Sequence, residues 1–206
     1  MLLAWCAAAS AASSAPILVL GDSLSAAYRL PTSEGWVALL ERRLADNNLQ
    51  RPVVNASISG ETTAGGLARL PALLAEHKPA LVVVELGAND ALRGLPLAQV
   101  RANLTQTLTA IRAAGARAVL LGIEMPPNYG TPYRDGLRAM YRDLAAEFNA
   151  PLLPFLLDGV AQDPALMQGD GLHPTAAGQP KVLDNVWPVL APALKALPAR
   201  APAPAH

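Results

Sequence analysis

The chain has 206 residues, 52% of them hydrophobic, and its sixteen basic side chains balance sixteen acidic ones. That size and apolar content suit one domain with a full core, and the evenly spread charge excludes a nucleic-acid groove or a polybasic membrane patch. A single cysteine, Cys6, excludes an internal disulfide framework and a cysteine-based zinc site.

Met1 to Ala9 is apolar and runs into the small residues Ser10 to Ala15. This resembles the apolar region and cleavage zone of a secretory signal that lacks its basic leader, and it is short of the roughly 20 residues a membrane span needs. Trp5 stands where a lipoprotein signal needs a small residue before Cys6. Residues 1–15 are therefore expected to be a signal-peptide remnant, which places the protein in the periplasm or outside the cell. The alternative is an unstructured start on a cytosolic protein.

Ile17–Leu20 reads as a buried strand that breaks at Gly21, followed by Asp22, Ser23, Leu24 and Ser25. Apolar residues at Trp36, Val37, Leu39, Leu40 and Leu44 predict a helix over 36–47, capped by Thr32 or Ser33. Pro52 to Ser57 reads as a second strand, and Leu67, Leu70, Leu73 and Leu74 mark a helix ending near His77. Leu81–Leu86 is a third strand, apolar enough for burial on both faces. The longest helix, 96–114, carries Val100, Leu104, Leu108 and Ile111 on one stripe, and Ala118–Ile123 is the fourth strand. Successive prolines in Met125–Gly130 predict a loop rather than helix or central strand. A helix over 134–148 precedes a short fifth strand, 152–155, whose proline suggests a sheet edge. A last helix is expected from Thr175 to about Leu194, bent or broken at Pro180 and Pro188. The Pro- and Ala-rich residues 196–206 read as a disordered tail. Strand and helix thus alternate across 16–195, as in a parallel sheet covered by helices on both faces.

Open parallel sheets bind ligands at the carboxyl ends of their strands, which makes Ser23 the first candidate for chemistry. Of three histidines, His206 lies in the tail and His77 at a helix end on the opposite side of the sheet. His173 alone follows the last strand, three residues after Asp170. A serine hydroxyl is a weak nucleophile until an imidazole takes its proton, and a carboxylate must hold that imidazole in the right tautomer. Donors for a developing oxyanion are available at the Ser23 and Gly60 N–H groups and the Asn89 amide. Each residue also has a plainer reading. Ser23, Asn89 and Asp170 are ordinary capping types, Gly60 an ordinary turn glycine, and His173 an ordinary loop histidine. The convergence of four separate loops on one edge favours the chemical reading.

The blocks Gly21-Asp22-Ser23-Leu24-Ser25, Asn55 to Gly60, Gly87-Ala88-Asn89-Asp90 and Asp170-Gly171-Leu172-His173-Pro174 resemble, in order, the four blocks of the SGNH (GDSL-type) hydrolases. The segments Leu67–Leu74 and Pro127–Gly130 look like its bacterial periplasmic thioesterase, arylesterase and lysophospholipase branch. The resemblance implies a flavodoxin-like, three-layer α/β/α sandwich with a five-stranded parallel sheet. It implies Ser23 as nucleophile, His173 as base, Asp170 as its orienting acid, and an oxyanion hole from Ser23, Gly60 and Asn89. Ala27 and Ala88 stand where that branch often has glycine, and Glu61 where it often has aspartate. No Gly-x-Ser-x-Gly elbow is present, against an α/β-hydrolase.

The expected activity is hydrolysis of esters and thioesters of short-to-medium acyl chains by a monomer, with no metal or cofactor, no nucleic acid and no stable membrane insertion. A shallow acyl pocket is expected from Leu92, Leu95, Met125, Pro126, Asn128 and Tyr129. A carbohydrate O-deacetylase is the alternative within the superfamily, disfavoured by the 4% aromatic content. A non-catalytic flavodoxin-like binding module is the alternative outside it, and the chain has no Gly-x-Gly-x-x-Gly or phosphate loop to support one.

Overall fold

The computed structural model describes residues 14–49 and 51–197. The expected signal remnant up to residue 13 and the expected tail from residue 198 lie outside the described residues. Five strands, β1 (Ile17–Gly21), β2 (Val53–Asn55), β3 (Leu81–Glu85), β4 (Arg117–Leu121) and β5 (Leu152–Leu153), form one parallel sheet in the order β2-β1-β3-β4-β5. Every residue of β1 and β3 is buried, the expected result for branched aliphatic runs covered on both faces. β5 lies at the edge, where the proline that follows it forfeits no ladder bond.

Six α-helices complete the domain: α1 (Trp36–Asp46), α2 (Thr63–His77), α3 (Ala88–Leu92), α4 (Leu97–Ala113), α5 (Thr131–Phe148) and α6 (Gln179–Lys195). α1 packs with α6, while α4 packs with both α2 and α5. The three-layer α/β/α sandwich is thereby formed. Its core is one continuous cluster from Ile17 to Leu194, in which each fully buried aliphatic side chain contributes about 1.5–3 kcal/mol.

Several local expectations are corrected. Thr32 and Ser33 do not cap α1. They form a 3-10 turn with Glu34, and the first helical N–H, of Trp36, donates instead to the buried Gln179 Oε1 at 2.9 Å. Pro180 sits in the first turn of α6, where its missing N–H leaves no orphan, and the helix continues through Pro188 and Pro192. Burial of Val182, Leu183, Val186 and Leu190 on the sheet outweighs the lost hydrogen bonds. α2 likewise contains Pro71. The proline-rich loop after β4 holds a 3-10 turn over Pro127–Tyr129, because a proline at its start needs no donor there. The short α3 was not anticipated; it follows β3 at once and carries Asn89.

Strand order reverses at β1, which pairs with β2 on one side and β3 on the other. This is the switch point at which open α/β sheets form their crevice. The loops after β4 and β5 close one side of that crevice. Gly122 holds them together: its N–H donates to Leu153 O at 2.7 Å and its carbonyl accepts from Leu156 N at 2.9 Å. A Cβ there would stand 2.4 Å from the Pro154 carbonyl oxygen. Gly122→Ala is therefore expected to destabilise the fold by about 1–3 kcal/mol, read as a lowered denaturant midpoint.

Candidate active site

Ser23 leaves β1 in a turn built by its neighbour. Asp22 accepts the Leu24 N–H on Oδ1 at 3.0 Å, and its carbonyl accepts Ala26 N at 3.0 Å. The side chain of Ser23 is thereby presented at the strand end without belonging to a helix. Tyr28, further along the turn, lies between two non-glycine residues in the left-handed region, Ala27 and Arg29, each at φ 56°. Such backbone strain persists where surrounding contacts fix it. Here the Tyr28 ring packs on the His173 ring at 4.3 Å between centroids, and the Arg29 guanidinium lies 5.1 Å over Tyr28.

His173 and Asp170 lie on a loop closed by the antiparallel bridge between Met167 and Pro174. Gln168 N donates to His173 O at 2.7 Å, and Gln168 Nε2 donates to Pro174 O and, across to the serine loop, to Tyr28 O. Asp170 Oδ1 accepts the N–H groups of Leu172 and His173 at 2.9 and 3.1 Å, which leaves Oδ2 facing His173 Nδ1 at 2.8 Å. Burial opposes ionisation of Asp170, but the Leu172 N–H and the His173 ring and N–H outweigh it and lower the carboxyl to about 2. An ionised Asp170 requires the proton on Nδ1, so Nε2 is an acceptor. Ser23 Oγ lies 2.8 Å from that atom and donates to it. His77 lies at the other end of the sheet, in a depression with Pro16, Arg51 and Arg117.

Gly60, at φ +82°, ends the loop after β2, and its carbonyl accepts from Arg93 at 3.1 Å. Among the described residues, no group of the chain takes the N–H of Ser23 or of Gly60. Asn89 Nδ2 donates one hydrogen to Asp22 Oδ2 at 2.9 Å and keeps a second. Behind it, Asp90 is fully buried and accepts from both the N–H and hydroxyl of Thr63, which pins α3 to the start of α2 beside the Gly60 loop. Asp22 is itself fully buried, and desolvation raises its carboxyl to about 6 against its hydrogen bonds. Beneath it, Glu85 Oε2 accepts Asp22 N and Ser25 Oγ at 3.2 and 2.8 Å.

Ser23, Gly60, Asn89 and His173 open on one cavity of about 440 Å³. Of the residues expected to form its apolar wall, Leu92, Met125 and Pro126 line it. Leu95, Asn128 and Tyr129 are not among its lining residues: the Leu95 carbonyl accepts the Tyr133 hydroxyl, and Asn128 and Tyr129 lie in the 3-10 turn. The rest of the wall comes from the apolar Leu24, Ala88, Ile123, Phe155, Leu157 and Leu172 together with Tyr28, Ser59 and Glu124. Phe155 and Leu157 were missed because they follow an edge strand that the sequence ends only approximately. Asp22 and Glu85 were missed as functional groups, although a glutamate in the otherwise apolar run Leu81–Leu86 is a visible anomaly. The donor set contains no group of three or more metal-ligating side chains among the described residues.

The arrangement matches known proteins over most of the chain. The profile of the GDSL-like Lipase/Acylhydrolase family matches residues 19–180. Esterase TesA of Pseudomonas aeruginosa is 57% identical over 178 residues, which is 86% of this chain and 89% of that protein. Thioesterase 1/protease 1/lysophospholipase L1 of Escherichia coli K12 is 48% identical over 84% of this chain and 82% of its own. The crystal structure of the psychrotrophic esterase EstA from Pseudoalteromonas sp., inhibited by monoethylphosphonate, superposes with a TM-score of 0.84 at 41% identity, covering 88% of this chain and all of that one. Since the profile spans every strand-end loop that contributes to the cavity, the chain belongs to the GDSL-like lipase/acylhydrolase family.

Proposed function

We propose that the protein is a serine hydrolase that cleaves carboxylic esters and thioesters through an acyl-enzyme. The observation that carries this reading is the hydrogen-bonded chain from Ser23 Oγ to His173 Nε2 and from His173 Nδ1 to Asp170, 2.8 Å at each link. In the reaction Ser23 Oγ attacks the substrate carbonyl carbon while its proton passes to His173 Nε2. Asp170 stabilises the imidazolium that results. The carbonyl oxygen becomes an oxyanion, and the Ser23 and Gly60 N–H groups and the second Asn89 N–H are the donors available to it. Collapse of the tetrahedral adduct expels the alcohol or thiol, which takes its proton from His173. Water activated by the same imidazole then attacks the acyl carbon, and release of the acid restores Ser23.

The aliphatic lining by Leu24, Leu92, Ile123, Met125 and Leu157 supports an acyl chain in the cavity. A sugar deacetylase, which needs hydrogen-bonding partners for several hydroxyls, is less well served by such a wall. The names of the relatives, an esterase and a thioesterase/lysophospholipase, agree with the acyl reading. Among the described residues no helix is long and apolar enough to cross a membrane. The signal-like start supports a periplasmic or secreted location.

Organophosphate labelling combined with a nitrophenyl-ester chain-length series tests the assignment. One phosphonyl group is expected on Ser23, with loss of all esterase activity. Failure to label, or turnover confined to acetylated sugars, rejects it. Asn89→Ala is expected to lower kcat by about 10²–10³, and unchanged kcat removes Asn89 from the oxyanion site. The acid limb of stability follows from Asp170. Its folded carboxyl lies at about 2, below the ordinary 3.8, so its contribution is complete above that ordinary value and disappears as pH falls toward the folded one. Denaturant midpoints of the wild type and Asp170→Asn should differ at neutral pH and converge near the lower value.

A further inference from the structure

Glu85 occupies a position that its chemistry makes expensive. It ends β3, is fully buried, and lies next to a second fully buried carboxyl, that of Asp22. Its Oε2 is satisfied by the Asp22 N–H and the Ser25 hydroxyl, yet among the described residues nothing donates to its buried Oε1. Among the described residues no lysine or arginine acts on either carboxyl, and the cation-forming side chain that does so is His173, toward Asp22. Two ionised carboxylates in contact at this depth are excluded by desolvation and mutual repulsion. Asp22 and Glu85 are held side by side, since the Asp22 N–H donates to Glu85 Oε2 at 3.2 Å, and each carboxyl acts on the ionisation of the other. Most buried polar atoms in native proteins have partners, and a carboxyl oxygen wedged against a second carboxyl needs one more than most; one proton on Glu85 Oε1 supplies it, because a protonated carboxyl is a donor.

We propose that Glu85 is a positioning residue for the oxyanion site: its carboxyl donates a hydrogen bond to the Asp22 carboxylate and so fixes the acceptor that aims the Asn89 amide. Asp22 then has a defined role for each oxygen. Oδ1 holds the turn through Leu24 N, and Oδ2 holds Asn89. With Glu85 behind it, the carboxylate cannot rotate without breaking three hydrogen bonds at once. The proton also spreads a single negative charge over two groups, which limits the charge facing the forming oxyanion. Burial raises Glu85 well above the ordinary carboxyl range and raises Asp22 to about 6, in keeping with Glu85 as the proton holder. Tyr141 shares these surroundings but is already committed, since its hydroxyl donates to Leu86 O at 2.7 Å. The inference rests on the assignment of Asn89 as an oxyanion donor.

Two measurements test it. Infrared spectroscopy of the intact protein at pH 8, where Asp22 is ionised, should show the carbonyl band of one neutral carboxylic acid, and Glu85→Gln should remove that band. This readout does not involve activity, and its absence from the wild type overturns the proposal. Kinetically, Glu85→Gln keeps an N–H toward Asp22 and an oxygen toward Ser25, so kcat should stay within about threefold of wild type. Glu85→Leu removes the donor and should lower kcat about tenfold or more with KM little changed, a fraction of the loss expected for a whole oxyanion donor. In an Asn89→Ala background, Glu85→Leu should have almost no further effect, because both act through one amide. Full additivity of the two, or equal losses for Gln and Leu at 85, sinks the proposal. An Asn89→Ala variant with wild-type kcat instead sinks the oxyanion assignment beneath it. Should Glu85→Leu not fold, the infrared comparison and Glu85→Gln still decide.

Discussion

The hydrogen bond from Asn89 to Asp22 joins the carboxyl ends of β1 and β3, and the rest of the site is arranged around that junction. The two strands are neighbours only because chain order reverses at β1. Their backbones run in register from Ile17–Leu81 to Gly21–Glu85, so the residues just beyond are held at a spacing set by the ladder itself. A serine on one side and an amide on the other then need only short, stiff turns to face the same point. Preorganisation of this kind is what makes donors effective, since they need not reorient as charge develops.

Stability and chemistry pull in opposite directions around this junction. The sheet buries aliphatic side chains on both faces against the helices, and such apolar burial is the dominant favourable term in folding. At its upper rim the same burial encloses Asp22, Glu85 and Asp90, groups that a purely structural core would exclude. Each is retained in a network where its partners are fixed: Thr63 on Asp90, Leu24 and Asn89 on Asp22, Ser25 on Glu85. Satisfied networks of this kind hold side chains in one arrangement, at a stability lower than an apolar replacement would give.

The histidine arm is built differently. It comes from a loop far along the chain, outside the parallel sheet and closed only by the isolated Met167–Pro174 bridge. Its position depends on side-chain ties, chiefly Gln168 bridging to Tyr28 and Pro174, and on the Tyr28 ring stacked against the imidazole. The strained backbone at Ala27 and Arg29 is the local consequence of holding Tyr28 there. The cavity opens between the rigid junction and this tied loop. The exposed Leu92 and Leu172 lie on opposite arms of it, one on α3 and one beside His173.

The sequence alone determined the alternation of strands and helices, the buried nature of β1 and β3, the edge position of β5, and the four blocks that hold Ser23, Gly60, Asn89 and the Asp170–His173 pair. Those features are local: periodicity, apolar runs and turn residues are written within a few positions of one another. Asp170 and His173, three residues apart, are of this kind. What only the tertiary structure decided involves partners distant in sequence. Gln179 capping α1, the carbonyls of Leu153 and Pro154 packed on Gly122, and the carboxyl pair of Asp22 and Glu85 belong to this class. So do the cavity walls, where Phe155 and Leu157 replace Leu95, Asn128 and Tyr129. A buried carboxyl and an exposed one are the same letter in a sequence, and the solvent that distinguishes them is removed only when the layers close.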